Sequence, residues 1–220
     1  MIIAIDGPAA SGKSTTAIGV AKRLGITYLD TGAMYRAVTF GLIENDIKFE
    51  DSSELDNYLK QIKLRLSETK SGVILNLDGR NISKEIRSSK VTENVSEVSA
   101  LKKVRDSMVL IQRKMAKKND CILEGRDIGT VVFPNADFKF FLIADEKVRA
   151  KRRQNDLKKM GEQKSIDNVT TDIIKRDHKA STRKHSPLIK SENAIIINTS
   201  NLGINKVIDK IVNIVNKKGH

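Results

Sequence analysis

The sequence predicts an α/β fold built on a parallel sheet, with a small antiparallel sheet inserted into it. Short β-branched runs alternate with helical patterns of apolar residues over residues 1–44, and the alternation returns from residue 99 onward. Strand, helix and strand in succession are typical of a parallel sheet. Between about residues 46 and 90, period-two alternation with Gly turns replaces that pattern, which favours an antiparallel insertion.

The N-terminus forms the first strand–helix–strand unit. Met1–Asp6 is a short apolar run that stops at Gly7-Pro8, as a buried parallel strand does. Apolar residues at helical spacing then predict a helix over Lys13–Leu24. A second strand over Ile26–Leu29 and a second helix over Gly32–Glu44 follow.

The remaining elements follow from the same two periodicities. In the insertion, Ile62, Leu64 and Leu66 alternate with basic residues, and Gly turns separate the next two runs. The predicted strands of the insertion are 62–66, Val73–Leu77 and Arg80–Ser83. The predicted elements after it are a helix over Ser99–Lys118, strands over Cys121–Leu123, Phe138–Ile143 and Ala194–Asn198, and a closing helix over Ile204–Val215.

The composition limits the class of partner. A net charge of +13 attracts polyanions, but aromatic residues at 4% and the absence of Trp argue against a platform that stacks single-stranded bases. One cysteine, Cys121, excludes an internal disulfide and suits a reducing compartment. No apolar run approaches the ~18 residues that span a bilayer, and the first strand leaves no room for a signal peptide. We expect a cytoplasmic protein without a membrane or nucleic-acid partner.

A phosphate-binding loop is the strongest local motif. Residues 7–14, GPAASGKS, match G-x-x-x-x-G-K-[S/T] between a predicted strand and a predicted helix. In such a loop backbone N–H groups surround a phosphate, Lys13 reaches the β- and γ-phosphates, and the Ser14 hydroxyl holds Mg²⁺. A Gly-rich turn that matches by chance is the alternative. The chain carries no N-K-x-D guanine motif, so a P-loop NTPase sheet with an insertion indicates a kinase for a small metabolite.

A second motif, DTGAMYR at residues 30–36, follows the second strand. The carboxyl ends of parallel strands are where open α/β sheets bind ligands, and Arg36 can hold a phosphate in a planar fork. Asp30 or Thr31 capping a helix is the alternative, and capping does not exclude binding.

The third motif, LEGRDIGTVVF at residues 123–133, places three charges between apolar flanks. Glu124 follows a strand, where P-loop proteins place an acidic residue near Mg²⁺, and Arg126 suits a phosphate contact. Asp127 can accept hydrogen bonds from an amino group on a base. An internal Arg–Asp pair that closes the end of the sheet is the alternative.

Two basic segments complete the set. Arg149, Arg152 and Arg153 share a helix face, which is either a solvated surface or a mobile lid over phosphates. Further on, Arg176 and Arg183 lie two helical turns apart, in a helix predicted to end at Ser186-Pro187.

These motifs together resemble the bacterial cytidylate kinase family, the P-loop nucleoside monophosphate kinases that phosphorylate CMP and dCMP with ATP. The resemblance runs nearly end to end through GPAASGKS, LDTGAMYR, NVSEV, EGRDIGTVVFP and RD…R…SPL. It implies one kinase domain over residues 1–220, with a core of 1–38, 91–145 and 185–220. Residues 39–90 would form the insertion that binds the nucleoside monophosphate, and 146–165 a helical lid. It also implies Mg²⁺ as cofactor, and we expect a monomer.

The resemblance assigns site residues position by position. ATP would be bound by Gly7, Pro8, Ala9, Ala10, Ser11, Gly12, Lys13, Ser14 and Thr15. CMP would be bound by Asp30, Thr31, Arg36, Ser96, Arg105, Arg126 and Asp127, of which Ser96, Arg105 and Asp127 would read the cytosine edge. The catalytic residues would be Lys13, Arg126, Arg149, Arg153, Arg176 and Arg183, and the metal ligands Ser14 and Glu124.

Two positions depart from the family pattern. The family has Asp where this chain has Glu124, whose longer arm would reach Mg²⁺ through water. The family also has Asp three residues before the arginine matched by Arg183, where it contacts the sugar, and this chain has Ala180.

Two other functions compete with this interpretation. A P-loop kinase for another metabolite, such as dephospho-coenzyme A or shikimate, would share the first motif only. An ATPase that binds nucleic acid is favoured by the charge of +13 alone.

Overall fold

The structure is a computed structural model that describes residues 1–69, 72–117 and 119–218. The strands are β1 (Ile2–Asp6), β2 (Thr27–Asp30), β3 (Leu64–Thr69), β4 (Gly72–Leu77), β5 (Arg80–Asn81), β6 (Cys121–Gly125), β7 (Phe138–Ile143) and β8 (Ile195–Asn198). The helices are α1 (Lys13–Leu24), α2 (Thr31–Glu44), α3 (Ser53–Gln61), α4 (Ser89–Val98), α5 (Lys102–Ala116), α6 (Glu146–Lys159), α7 (Ile166–Thr182) and α8 (Ile204–Lys218).

Five strands form a parallel sheet in the order β2-β6-β1-β7-β8. The central strand β1 pairs with β6 and β7, and its residues Ile3, Ala4 and Ile5 are fully buried. Strands that are covered on both faces have continuous apolar sequences, which is why the sequence pattern was sufficient to predict β1. In the β1–β6 register Asp6 pairs with Gly125, so the loops that follow these strands start side by side. The predicted α/β class is confirmed.

The antiparallel insertion is also confirmed. Strands β3, β4 and β5 form a separate three-stranded sheet, in which Leu66 pairs with Leu75 and Leu77 pairs with Arg80. Leu64, Leu75 and Leu77 are buried, as alternation with one apolar face requires.

The chain divides into two compact units, one within residues 1–28 and 118–220 and the other within residues 29–117. The first unit holds the phosphate loop and the ends of β1, β6 and β7. The second holds α2 to α5 and the antiparallel sheet around one apolar core that includes Met34, Leu42 and Met108. The bounds predicted for the insertion, 39–90, and for the lid, 146–165, stay predictions.

Several helical predictions differ from the structure, among them the closing helix, which extends to Lys218 and not only to Val215. The helix predicted over Ser99–Lys118 is α5, which starts at Lys102, and Lys118 lies outside the described residues. Helices α3 and α4 were not predicted, although Ser52 and Ser88 cap their first turns. Helix α7 ends at Thr182 and not at Ser186-Pro187, so the backbone of Arg183 is already extended. No helix in the described part of the chain is long and apolar enough to cross a membrane.

Candidate active site

The phosphate loop has the backbone that its residues dictate. Gly7 has a φ of +147°, and a Cβ at this position would lie 2.1 Å from the carbonyl oxygen of Leu142, so only glycine fits there. Gly12 follows with a φ of +93° and starts helix α1. Ala10 adopts a left-handed φ of 56°, which is unfavourable for a residue with a Cβ. The loop is thus a tight turn that places the N-terminus of α1 next to the end of β1.

Lys13 lies under this loop and is 6% exposed. Its ammonium donates a hydrogen bond of 2.7 Å to the carbonyl oxygen of Pro8. Burial, and then the positive charge of Arg126, lower the pKa of Lys13 to about 7. A buried ammonium with one carbonyl partner and a guanidinium nearby is poised to meet an anion.

Glu124 ends the buried part of β6 and faces the first turn of α1. The Ser14 hydroxyl donates a hydrogen bond of 2.7 Å to the Glu124 carboxylate. The Tyr28 hydroxyl lies 3.5 Å from the same carboxylate oxygen. The two predicted metal ligands are therefore in contact. Within the described residues, no group of three or more His, Cys, Asp or Glu side chains is placed to hold a metal ion.

The turn after β6 carries Arg126 and Asp127. A five-residue stretch of π-helix, Ile128–Val132, follows them, with Val132 N–H donating to the Asp127 carbonyl at 3.2 Å. The Asp127 carboxylate accepts a hydrogen bond of 3.3 Å from the guanidinium of Arg183, and both side chains are nearly buried. Asp127 thus forms an ion pair with Arg183, a predicted site residue 56 positions away, which the sequence did not indicate.

Asp6 also joins this turn, which the sequence did not predict. Its carboxylate accepts hydrogen bonds from the N–H groups of Ile128 and Gly129, at 2.8 and 2.7 Å. Burial raises the pKa of Asp6 to about 6, against the lowering effect of the two backbone donors. The only sequence signal was a carboxylate at the end of a buried apolar strand.

Arg149 braces the phosphate loop from helix α6. Its guanidinium donates to the Ala9 carbonyl oxygen at 3.0 Å and forms an ion pair with Asp177 of α7. The Asp177 carboxylate in turn accepts a hydrogen bond of 2.7 Å from the Ala9 N–H. Ala9 also packs in an apolar cluster with Ala150 and Ile173 of these two helices. The backbone N–H and carbonyl groups of Ala9 are therefore both held by hydrogen bonds. The sequence did not indicate that Asp177 and Arg149 hold them.

Arg152, which shares the predicted basic face, is linked to the phosphate loop through Thr199. Its guanidinium donates to the hydroxyl and carbonyl oxygens of Thr199 at 2.9 and 2.7 Å. The Thr199 hydroxyl lies 3.0 Å from the carbonyl oxygen of Ser11, to which it donates. Arg153 on α6 and Arg176 on α7 are half-buried.

The second unit carries the other predicted site residues. Asp30 caps α2 by accepting a hydrogen bond of 2.8 Å from the Ala33 N–H, which confirms the capping alternative without excluding binding. Thr31 is buried at the start of the helix. One turn further on, Arg36 donates to the hydroxyl of Thr92 and the carbonyl of Ile86, at 2.9 and 3.2 Å.

Arg105 lies deep in the second unit, with 2% of its surface exposed. Its guanidinium lies 5.4 Å from the centre of the Tyr35 ring and donates to the Ser99 carbonyl oxygen at 3.2 Å. Ser96 is half-buried on α4, one turn before Ser99. The sequence did not predict the helix that holds Ser96, and the assignment of Ser96 to the cytosine edge stays a prediction.

Comparisons with known proteins found relatives in sequence and a similar fold. A family model described as cytidylate kinase matches residues 3–217. The cytidylate kinase of Fusobacterium nucleatum is 45% identical over 218 residues, which cover 99% of this chain and 96% of that protein. The cytidylate kinase of Lactobacillus johnsonii is 44% identical over 218 residues, 99% of this chain and 95% of that protein. A crystal structure of shikimate kinase from Bacteroides thetaiotaomicron has a TM-score of 0.50 at 12% identity over 98% of both chains, a likeness of fold alone.

Proposed function

Because the chain belongs to the cytidylate kinase family, we propose that it transfers the γ-phosphate of ATP to CMP or dCMP, giving ADP and CDP or dCDP. The observation that carries the proposal is the family match over residues 3–217, which includes a complete phosphate-loop motif. The nucleotides act as small-molecule partners of a cytoplasmic monomer in this proposal.

The donor phosphates would occupy the loop of residues 7–15. Lys13 is the group that would change most on binding, because its buried ammonium would exchange one carbonyl contact for phosphate oxygens. The N-terminus of α1 adds the positive end of its dipole at the same place.

The acceptor phosphate needs little help from a base. Its second pKa is about 6, so it is largely ionised near neutral pH and attacks as an anion. Rate acceleration must then come from in-line positioning and from positive charge around the transferring group. Arg126, Arg176 and Arg183 would supply that charge in the first unit, and Arg153 would add to it from helix α6. Arg149 would act by holding Ala9, since its guanidinium already contacts that residue.

Recognition of CMP would divide between phosphate and base. Arg36 would hold the acceptor phosphate, with Asp30 and Thr31 beside it. Ser96, Arg105 and Asp127 would read the cytosine edge, and buried polar groups of this kind discriminate well because a wrong base leaves them unpaired.

We propose Mg²⁺ as the cofactor. The Ser14 hydroxyl and the Glu124 carboxylate lie 2.7 Å apart and are the oxygen donors that this ion prefers. Mg²⁺ commonly has only one or two protein ligands and takes the rest from phosphates and water, which fits a site of two side chains. The ion would neutralise charge on the phosphates when bound.

An assay of ADP release with an acceptor panel tests the proposal. With ATP and Mg²⁺, we expect rapid ADP release with CMP or dCMP and much slower release with UMP or AMP. Shikimate, dephospho-coenzyme A, DNA and RNA serve as the controls for the competing functions. ADP release that DNA or RNA stimulates and CMP does not would replace the proposal with a nucleic-acid-dependent ATPase.

A further inference from the structure

Asp6 stands out among the buried charged residues because the proposed chemistry gives it no direct task. It is the last residue of β1, directly before Gly7 of the phosphate loop, and is 4% exposed. Both carboxylate oxygens are engaged, one by the Ile128 N–H at 2.8 Å and the other by the Gly129 N–H at 2.7 Å. The carboxylate therefore connects the end of β1 with the turn that carries Asp127.

The two N–H groups belong to the two peptides that follow Asp127, so the Asp6 carboxylate holds the backbone on that side of Asp127. The Ile128 nitrogen belongs to the peptide group directly after Asp127, so the first hydrogen bond fixes the plane of that peptide. The second bond fixes the next peptide, at Gly129. A Cβ on Gly129 would lie 3.4 Å from the Asp6 carboxylate and 3.3 Å from the Lys139 side chain, so the turn packs closely on Asp6. Asp127 has little freedom to move while both bonds persist.

Burial of the Asp6 carboxylate costs folding free energy, so stability alone does not explain a charged residue at this position. Burial raises the pKa of Asp6 to about 6, and the nearby Asp127 carboxylate raises it further while Lys13 lowers it. A neutral residue would avoid the desolvation cost of a buried carboxylate. Only an ionised carboxylate, however, offers two acceptor oxygens and no donor to two adjacent N–H groups.

We propose that Asp6 is a positioning residue for base selection. Its carboxylate holds the backbone after Asp127 and so sets where the Asp127 carboxylate meets the cytosine amino group of the acceptor. This inference rests on the proposed function, in which Asp127 reads that group. It predicts that Asp6 affects the choice between CMP and UMP, because uracil has no exocyclic amino group for Asp127 to contact.

The test compares Asp6→Asn with Asp137→Asn. Asn at position 6 keeps the size but points an N–H₂ group at one of the two N–H donors. Asp137 is a matched control, since its exposed carboxylate accepts the Ile2 N–H at 2.6 Å at the opposite end of the same strand. For Asp6→Asn we expect kcat/KM for CMP to fall by ~10-fold or more, with UMP affected several-fold less and the KM for ATP within ~3-fold of the unmodified protein. Asp137→Asn should leave the CMP-to-UMP ratio unchanged.

A double-mutant cycle with Asp127→Asn separates positioning from general damage. If Asp6 acts through Asp127, adding Asp6→Asn to Asp127→Asn should lower kcat/KM for CMP by less than ~2-fold further. Fully additive losses, or an equal loss for CMP and UMP, would overturn the inference. If Asp6→Asn does not fold, as judged by circular dichroism, Asp6→Glu keeps the charge but moves both acceptor oxygens one methylene further from β1, which disturbs the same two hydrogen bonds. That variant should lower the CMP-to-UMP ratio in the same direction, and an unchanged ratio would overturn the inference.

Failure of the inference and failure of the proposed function give different results. An unmodified protein that does not phosphorylate CMP contradicts the proposed function. An unmodified protein that prefers CMP, together with a folded Asp6→Asn variant of the same preference, contradicts only the role of Asp6.

Discussion

Replacing Lys13 with Met is expected to make the protein more stable near pH 7 while removing its kinase activity. The side chain is 6% exposed, and burial followed by the charge of Arg126 lowers its pKa from 10.5 to about 7. Below pH 7 the group is protonated in both the folded and the unfolded protein, so the folded state bears the full cost of a buried charge. As pH rises from 7 toward 10.5 the unfolded state binds more protons than the folded state, and stability increases with pH.

The size of the effect follows from the same values. A pKa that falls from 10.5 to about 7 corresponds to about 5 kcal/mol against the charged form in the folded protein, and to about 4 kcal/mol at pH 7 itself. Met also loses the hydrogen bond to the Pro8 carbonyl oxygen, which contributes about 1 kcal/mol. The net gain for Lys13→Met is therefore about 3 kcal/mol at pH 7, or roughly 6–12 °C in Tm for a protein of this size.

Thermal unfolding of the two proteins at several pH values measures this gain. The difference in Tm between Lys13→Met and the unmodified protein should be largest at pH 7 and below, and should nearly vanish by about pH 9.5. Lys22→Met is the matched control, because Lys22 is an exposed lysine on the same helix, and its Tm should stay within ~1 °C of the unmodified protein at every pH.

The kinase activity of Lys13→Met is the second measurement. We expect Lys13→Met to lower kcat/KM for ATP and CMP by at least ~10²-fold, about 2.7 kcal/mol, because Lys13 is proposed to stabilise charge on the phosphates. A variant that is no more stable than the unmodified protein at pH 7, or a Tm difference that does not change with pH, would refute the buried-charge argument. Near-normal turnover would refute the role assigned to Lys13.

Three further changes test other contacts. Ala10→Gly should raise Tm by a few degrees, because Ala10 has a left-handed φ of 56° that costs about 1 kcal/mol, and a lower Tm would show that the methyl group matters more than the backbone. A Cβ on Gly41 would lie 1.7 Å from the buried Tyr58 hydroxyl, so Gly41→Ala should lower Tm and Tyr58→Phe should restore part of the loss, whereas additive effects would contradict direct contact. Asp177→Asn leaves the Arg149 guanidinium without its anionic partner beside the phosphate loop, so the KM for ATP should rise by ~10-fold or more, and an unchanged KM would mean that the brace is dispensable.

The sequence predicted most of the fold because its main elements are long and strongly periodic. The strand Phe138–Ile143 and the helix Lys13–Leu24 were placed to the residue, since a continuous apolar run and a helical stripe each allow one solution. Helix α3 was missed because only Leu55 and Leu59 are buried in it, too few to establish a period. The end of α7 was misplaced because Ser186-Pro187 is a strong stop signal, which hid the weaker end at Thr182.

The candidate site was predictable only where its chemistry is local in the sequence. The phosphate loop is one continuous segment, and the spacing of its glycines and lysine predicts its geometry directly. Asp6 contacts residues 122 and 123 positions away, and Asp177 reaches Ala9 across 168 positions. No local pattern encodes such contacts, because they depend on which strands become neighbours. The pairing of Asp127 with Arg183 belongs to the same class.

Direct detection of the phosphorylated acceptor is the closest test of the central claim, that this chain is a kinase for cytidine monophosphates. The purified protein would be incubated with γ-labelled ATP, Mg²⁺ and equal concentrations of CMP and UMP, and the labelled nucleoside diphosphates would be separated and counted. We predict label in CDP in stoichiometric balance with ADP, with far less label in UDP. Label that appears only as free phosphate, or in UDP as readily as in CDP, would contradict the account.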